Sequence, residues 1–261
     1  MLLIDKYAYF NRLRHVHPVE KATLSLGLLL FSLIAKDPLV SLITFLVMST
    51  FVVWAARIPS SYYGKLLLAP VFFLLSGVIT LLFSVTDGQA AIVHPIWNVH
   101  VWNWQIFISK SSMEQVVNLI FRVLGGISCL YFLILTTPIT VMLGLLRKLR
   151  LPPLLLDLIA LTYRFIFVFL ETAAMIHQAQ TSRLGYITIR QSLKSLGQLV
   201  ATLFLKSFHR SSQLSIAMDS RCYENDIVLV EQTYPVSFLN WFLIAGIFTA
   251  MLTVYWQFGG Y

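Results

Sequence analysis

The chain has 261 residues, of which 58% are hydrophobic and 11% are charged, and its formal net charge is +8. Soluble domains are about 45–50% apolar and about 25% charged, so this chain has too few charged side chains to cover a water-exposed surface. The composition excludes an ordinary cytosolic enzyme, a disordered protein and a nucleic-acid-binding protein. It favours a membrane protein with a basic cytoplasmic side.

Five apolar segments have the length, or nearly the length, of a membrane-spanning helix, which takes roughly 20 residues. The first is short, but the lysines at its ends, Lys21 and Lys36, can extend to the interface. In chain order the segments are 22–35, 39–56, 66–86, 115–137 and 236–258. The loop 87–114 is aromatic and almost uncharged, which is typical of a membrane surface. The pattern predicts an all-α integral membrane protein.

A sixth apolar segment, 154–176, carries three charged residues spaced by seven, Asp157, Arg164 and Glu171. This spacing places them on one helix face, where a stripe of charge is costly in lipid and natural on an interfacial or protein-packed helix. We therefore predict a non-spanning helix with a structural polar seam. A membrane-embedded enzyme that uses these three residues is the alternative of another class.

The basic residues indicate the orientation. If 154–176 does not cross and the N-terminus is cytoplasmic, nearly all of the 19 lysines and arginines lie inside, as the positive-inside bias requires. The chain then divides into an N-terminal segment with four spans (1–137), a cytoplasmic insert (138–235) and a final span (236–258). It is a multi-pass protein with a cytoplasmic N-terminus.

Two helices are predicted in the insert. The first runs from about Leu154 to Ser182, where Gly185 is placed to end it. The second begins near Thr188 and reaches about Asp219. Its apolar residues recur at helical intervals of four and three; they are Ile189, Leu193, Leu196, Val200 and Leu203.

The ends of these two helices resemble each other, because Ala179–Arg183 recurs as Ala217–Arg221. Each arginine is interpreted either as a helix C-cap that favours the negative end of the dipole or as a contact with a partner protein. An arginine suits the second role because its planar group makes several directed hydrogen bonds and stays charged. Two equivalent contacts suit a dimeric partner.

No motif in the chain carries chemistry by itself. It has no phosphate-binding loop, no zinc-protease motif and no nucleophile elbow, so we predict no catalytic residue and no cofactor bound by this chain. The histidine pairs 15/17 and 94/100 lack a third ligand, so no metal site is predicted. Arg122 lies within the fourth span. It either has a functional role or its long side chain reaches the membrane interface.

The chain resembles a known family over essentially its whole length, and two parts of the sequence carry this resemblance. One is the opening, Ile4–Tyr9 and Asn11–Lys21; the other is the pair of motifs Ser182-Arg183-Leu184 and Ser220-Arg221-Cys222. In these parts the chain resembles the cobalt-type transmembrane component, the CbiQ type, of energy-coupling factor (ECF) transporters. The family's usual motif is Ala-Arg-Gly, so this chain keeps the arginine and departs on both sides.

The resemblance implies a scaffold and coupling subunit of a transporter in a prokaryotic inner membrane. Its partners would be two ABC-type ATPases, which use ATP and Mg, a substrate-binding membrane subunit, a small accessory membrane subunit and membrane lipid. The two motifs would each contact one ATPase; their residues are Ser182, Arg183, Leu184, Ser220, Arg221 and Cys222. The opening implies cobalt as the imported ion, with nickel as the alternative. The subunit itself would not be an enzyme.

Overall fold

Helices make up most of the computed structural model, which describes residues 3–35, 37–82, 84–87, 95–101, 104–222 and 234–258. The chain divides into two compact units. We call Leu2–Ile139 with Thr233–Tyr261 the membrane unit, and Thr140–Gln232 the arm. The limits of the arm lie within three residues of those predicted for the insert. Its cytoplasmic position stays a prediction.

The helices and strands follow in chain order. Within the described residues they are α1 (Leu3–Phe10), α2 (Pro18–Ala35), α3 (Pro38–Thr50), α4 (Ser60–Leu82), β1 (Ser84–Asp87), β2 (Pro95–Val101), β3 (Trp104–Ser109), α5 (Lys110–Thr136), α6 (Ile139–Lys148), α7 (Pro153–Ser182), α8 (Ile189–Asp219) and α9 (Phe238–Phe258). A 3-10 turn, Arg12–His15, follows α1, and a π-helical turn, Phe51–Ala55, extends α3.

Six of these helices are long and apolar enough to cross a membrane: α2, α3 with its π-helical turn, α4, α5, α7 and α9. The protein is thus a multi-pass membrane protein of the predicted all-α class. Five of the six correspond to the predicted spans. The sixth, α7, qualifies by length and composition, and whether it crosses stays a prediction.

A small antiparallel sheet lies between α4 and α5, with the strand order β1-β3-β2. In its register Ser84 is opposite Phe107, and Val101 is opposite Trp104. The third span was predicted to reach Thr86, but α4 ends at Leu82 and Ser84–Asp87 is a strand. The β-branched and aromatic residues of this region favour strand pairing over a helix end or an irregular loop.

The core of the membrane unit is built around α5, which packs against α1, α2, α3 and α4, while α9 packs against α2 and α3. Large apolar side chains fill it; among those fully buried are Leu28, Met48, Phe132 and Leu135. Where α3 crosses α5, Gly125 leaves room for the backbone of Ser41. Small residues let two membrane helices approach closely in this way.

Two adjacent glycines of α5 give a matched test of this packing. A Cβ added to Gly125 would lie 2.9 Å from the carbonyl oxygen of Ser41, whereas one added to Gly126 meets nothing within 4 Å. Gly125→Ala should therefore lower the thermal midpoint of the full chain in detergent. Gly126→Ala should leave it unchanged or raise it, because alanine is favoured over glycine in a helix by about 1 kcal/mol. Equal effects of the two substitutions would contradict the close approach.

Candidate functional site

The arm contains a helical hairpin in which α7 packs against α8. Both helices have the limits predicted from the sequence, within one residue. The hydroxyl of Thr188, the residue before α8, accepts a hydrogen bond from the backbone N–H of Gln191 at 3.3 Å. A Thr-x-x-Gln pattern is a capping box, which satisfies N–H groups that a helix start leaves free. This cap fixes the point at which α8 begins.

The end of α7 forms a Schellman motif. The N–H of Gly185 donates to the carbonyl of Gln180 at 2.9 Å, and the N–H of Leu184 donates to that of Thr181 at 3.0 Å. Leu184 has a φ of 61° and occupies the left-handed position of the motif. The prediction that Gly185 ends the helix is corrected here, because the residue that turns the chain is Leu184.

Gln180 also holds the turn through its side chain. Its amide nitrogen donates to the carbonyl of Ser195 at 2.9 Å, and its amide oxygen accepts from the hydroxyl of Tyr186 at 2.7 Å. The hydroxyl of Ser195 donates to the carbonyl of Gly185 at 2.8 Å. The turn between α7 and α8 is thus tied to both helices, and Arg183 lies at its first residue. No local sequence pattern marks Gln180 or Ser195 for this role.

The end of α8 repeats the backbone conformation. The N–H of Arg221 donates to the carbonyl of Met218 at 3.0 Å, that of Cys222 donates to Asp219 at 3.1 Å, and Cys222 has a φ of 53°. In both motifs, therefore, the residue after the arginine is left-handed. Glycine adopts this conformation without the steric cost that a Cβ brings. The structure thus gives a physical reason for glycine at the third position of the Ala-Arg-Gly pattern.

The two motif arginines, Arg183 and Arg221, are both exposed. Within the described residues, neither guanidinium group makes a hydrogen bond or an ion pair. The serines before them bond back to their own helices: Ser182 donates to the carbonyl of Gln178, and Ser220 to that of Ala217, each at 3.0 Å. Both arginines therefore lie at helix ends, and no described residue takes up their side-chain donors.

An exposed row of apolar side chains runs along one face of α8. We call these five residues, which share one helix face, the α8 stripe: Leu193, Leu196, Val200, Phe204 and Phe208. Their exposed fractions lie between 47% and 71%. Five apolar residues were predicted to form the apolar face of this helix, and four of them are exposed: Ile189, Leu193, Leu196 and Val200. Ser195 is buried instead, against the turn between α7 and α8.

The three charged residues of the predicted polar seam of α7 differ in how deeply they are buried. Asp157 is 6% exposed, whereas Arg164 and Glu171 lie on the surface of the arm. A shared role for the three stays a prediction.

No three His, Cys, Asp or Glu side chains converge among the described residues, and His94 lies outside them. Arg122 lies twelve residues into α5, which begins at Lys110, and its role also stays a prediction.

A second polar group, in the membrane unit, was not predicted. The carboxylate of Glu20 is 2% exposed; Oε1 accepts from the N–H of Ser237 at 3.1 Å and Oε2 from Nδ2 of Asn240 at 2.7 Å. These two donors lie at the start of α9. A negative charge is stabilised at a helix N-terminus by the free N–H groups and the helix dipole. Glu20 therefore holds the beginning of the last span.

The next residue, Lys21, binds the end of a different helix. It is 4% exposed, and its Nζ donates to the carbonyl of Thr136, the last residue of α5, at 3.0 Å. The side-chain amide of Asn11 donates to the neighbouring carbonyl of Leu135 at 3.2 Å. A positive charge is stabilised at a helix C-terminus. We call Asn11, Glu20, Lys21, Thr136 and Asn240 the helix-end cluster.

The strain at the first motif can be measured with one substitution at two positions. Leu184→Gly should raise the thermal midpoint of the full chain, because a left-handed non-glycine residue costs about 1–2 kcal/mol and Leu184 is 64% exposed. Leu193 is 67% exposed but lies inside α8, so Leu193→Gly should lower the midpoint, by about 1 kcal/mol in stability. The same sign for both would refute the assigned strain.

Comparison with known proteins gives matches along nearly all of the chain. A family model, CbiQ, described as a cobalt transport protein, matches residues 10–235. The putative fused cobalt transport protein CbiMQ of Methanocorpusculum labreanum is 31% identical over 96% of this chain and 42% of its own length. The cobalt transport protein CbiQ of Salmonella typhimurium is 28% identical over 87% of this chain and 99% of its own length.

A third relative is the energy-coupling factor transporter transmembrane protein EcfT of Lactococcus lactis, which is 30% identical over 85% of each chain. The region that the CbiQ family model matches, residues 10–235, contains the helix-end residues Asn11, Glu20 and Lys21 and both arginine motifs. With a family model that spans most of its length, the chain belongs to the CbiQ family of cobalt transport proteins.

Proposed function

We propose that this chain is the transmembrane coupling subunit of an ECF-type transporter that imports cobalt. The observation that carries the proposal is the pair of equivalent motifs in the arm. Each ends a long helix, each presents an exposed arginine, and in each the residue after the arginine is left-handed. Two copies of one contact surface suit a partner that has two copies of one binding surface.

The partner that fits this pair is a dimer of ABC-type ATPases in the cytoplasm. The chain has no phosphate-binding loop of its own, so nucleotide-driven movement has to come from another subunit. Arg183 and Arg221 would each donate hydrogen bonds to a partner carboxylate or carbonyl, since neither guanidinium group bonds to a described residue. A hydrogen bond from a charged group contributes about 1.5–3 kcal/mol, and losing one partner of a desolvated pair costs more because the other charge stays unpaired.

The α8 stripe supports contact with a second partner, a membrane subunit that binds the substrate. Five large apolar side chains on one exposed helix face match the spacing of a helix that lies in an apolar groove. Few residues of α4 and α9 are buried within the chain, which leaves their faces available to lipid or to another membrane protein. The fused relative CbiMQ extends well beyond the length that this chain matches, consistent with a membrane partner.

Cobalt is the proposed ion because the family model and two of the relatives carry it in their descriptions. Nickel is the alternative. Since the substrate would be chosen by the partner subunit, the assignment is tested on the assembled transporter in proteoliposomes, by comparing uptake of radioactive cobalt and nickel at equal concentrations.

The membrane-embedded enzyme alternative is less favoured, because Asp157 is buried while Arg164 and Glu171 are exposed.

The proposed orientation, with the N-terminus and the arm in the cytoplasm, can be tested on the unaltered chain. Of its two cysteines, Cys222 is exposed beside Arg221 and Cys129 is buried. In membranes that contain this chain without its ATPase, a membrane-impermeant maleimide should label the chain in inside-out vesicles and leave it unlabelled in right-side-out cells. Cys222→Ser should abolish the labelling. Labelling of intact cells that disappears with Cys222→Ser would place the arm outside and end the proposal.

The arginine motifs are tested by a double substitution. Arg183→Ala with Arg221→Ala should reduce ATP-dependent uptake to background and release the ATPase during purification in mild detergent, while the amount of the chain in the membrane is unchanged. The control is Arg190→Ala with Lys206→Ala, which removes two exposed charges within α8 and should leave uptake within about twofold, the scale of ordinary surface substitutions. Normal uptake by the motif variant would contradict the proposed contact.

A further inference from the structure

The arm is joined to the membrane unit at two places in the chain, between Ile139 and Thr140 and between Gln232 and Thr233. Three residues before the first junction is Thr136, the last residue of α5. Four residues after the second is Ser237, immediately before α9. These are the backbone positions that the two charged residues of the helix-end cluster bind: Lys21 donates to the carbonyl of Thr136, and Glu20 accepts from the N–H of Ser237.

We propose that Glu20 and Lys21 are positioning residues that anchor both junctions of the arm and so convert movement of the arm into movement of the membrane spans. The proposal rests on the function proposed above, because it assumes that the arm is moved by an ATPase. Glu20 and Lys21 are consecutive residues of α2, so their Cα atoms are about 3.8 Å apart. Through them, the end of α5 and the start of α9 are both bound to the first turn of one helix.

Burial makes these contacts strong enough to transmit a displacement. Both side chains are almost completely buried, and charge-assisted hydrogen bonds are roughly twice as strong as neutral ones. In a low-dielectric surrounding, an unpaired charge of either residue is costly. A displacement of one junction therefore has to carry the first turn of α2 with it, since separation would leave a buried charge without its partner.

The rest of α9 is held to α2 by different contacts. The ring of Phe248 lies over Gly27, and the rings of Phe31 and Tyr255 are 6.1 Å apart in an edge-on arrangement. These apolar contacts do not involve Glu20. Neutralising Glu20 should therefore free the beginning of α9 while the middle and end of the helix stay packed. The expected defect is a loss of coupling rather than a loss of the last span.

The test uses the assembled transporter, this chain with its ATPase and its substrate-binding subunit, in proteoliposomes. The measured quantity is the number of metal ions taken up per ATP hydrolysed, at equal amounts of complex. Glu20→Gln and Lys21→Met should each lower this ratio towards zero, because movement of the arm no longer reaches the spans, while ATP is still hydrolysed. Lys21→Arg keeps the charge and a donor and should therefore give a higher ratio than Lys21→Met.

Two further variants separate coupling from stability. Glu114→Gln removes an exposed carboxylate of the same unit and should leave the ratio unchanged. Asn240→Ala removes the 2.7 Å contact to Glu20 but neither charge, so it should give an intermediate ratio. If Glu20→Gln does not accumulate in the membrane, Asn240→Ala decides: a lowered ratio supports the anchor and a wild-type ratio overturns it.

The outcomes also separate this proposal from the one on which it rests. If the wild-type chain shows no ATP-dependent uptake with any ATPase that co-purifies, the proposed function fails whatever Glu20 does. If wild-type uptake is ATP-dependent, and Glu20→Gln and Lys21→Met lose uptake only in proportion to the amount of complex, with an unchanged ratio, the anchor is overturned. In that case the two residues contribute to stability alone.

Discussion

Two opposite charges on consecutive residues, buried at the first turn of α2, organise one end of the membrane unit. Glu20 binds the start of α9 and Lys21 binds the end of α5. Each charge lies at the helix terminus whose dipole it complements. Burying an ion costs several kcal/mol, and the cost is offset only where hydrogen bonds satisfy it. Here the hydrogen bonds come from the backbone at the ends of two other helices and from the side-chain amide of Asn240, so these helices must meet at α2 for the pair to be stable.

The long apolar segments and the two arm helices could be predicted because the signals that define them are local. Length, hydropathy and helical periodicity depend on neighbours in the sequence, and they place α7 and α8 within one residue of the observed limits. The end of α4 and the sheet between Ser84 and Ser109 could not be predicted in this way. Strand pairing depends on residues opposite one another across the sheet, such as Ser84 and Phe107.

The helix-end cluster was beyond sequence reasoning for the same reason, on a larger scale. An adjacent Glu-Lys pair is ordinary at the edge of a membrane helix, where both side chains reach water. The partner of Glu20 is 217 residues away in the chain, and nothing near either residue marks the contact. At the arginine motifs, the sequence indicated the repeat. The left-handed conformations of Leu184 and Cys222, at about 1–2 kcal/mol each, emerged from the hydrogen bonds that end the helices.

The length of α8 has a consequence for any partner that binds both arginines. Arg183 precedes this helix and Arg221 follows it, and its 31 residues correspond to about 46 Å along the axis. The helix contains no proline, so it lacks one of the main causes of a sharp kink. A partner therefore needs two docking sites separated by roughly this distance. If such a partner changes the separation of its two sites, the hairpin must rotate as a whole or one arginine must leave its site.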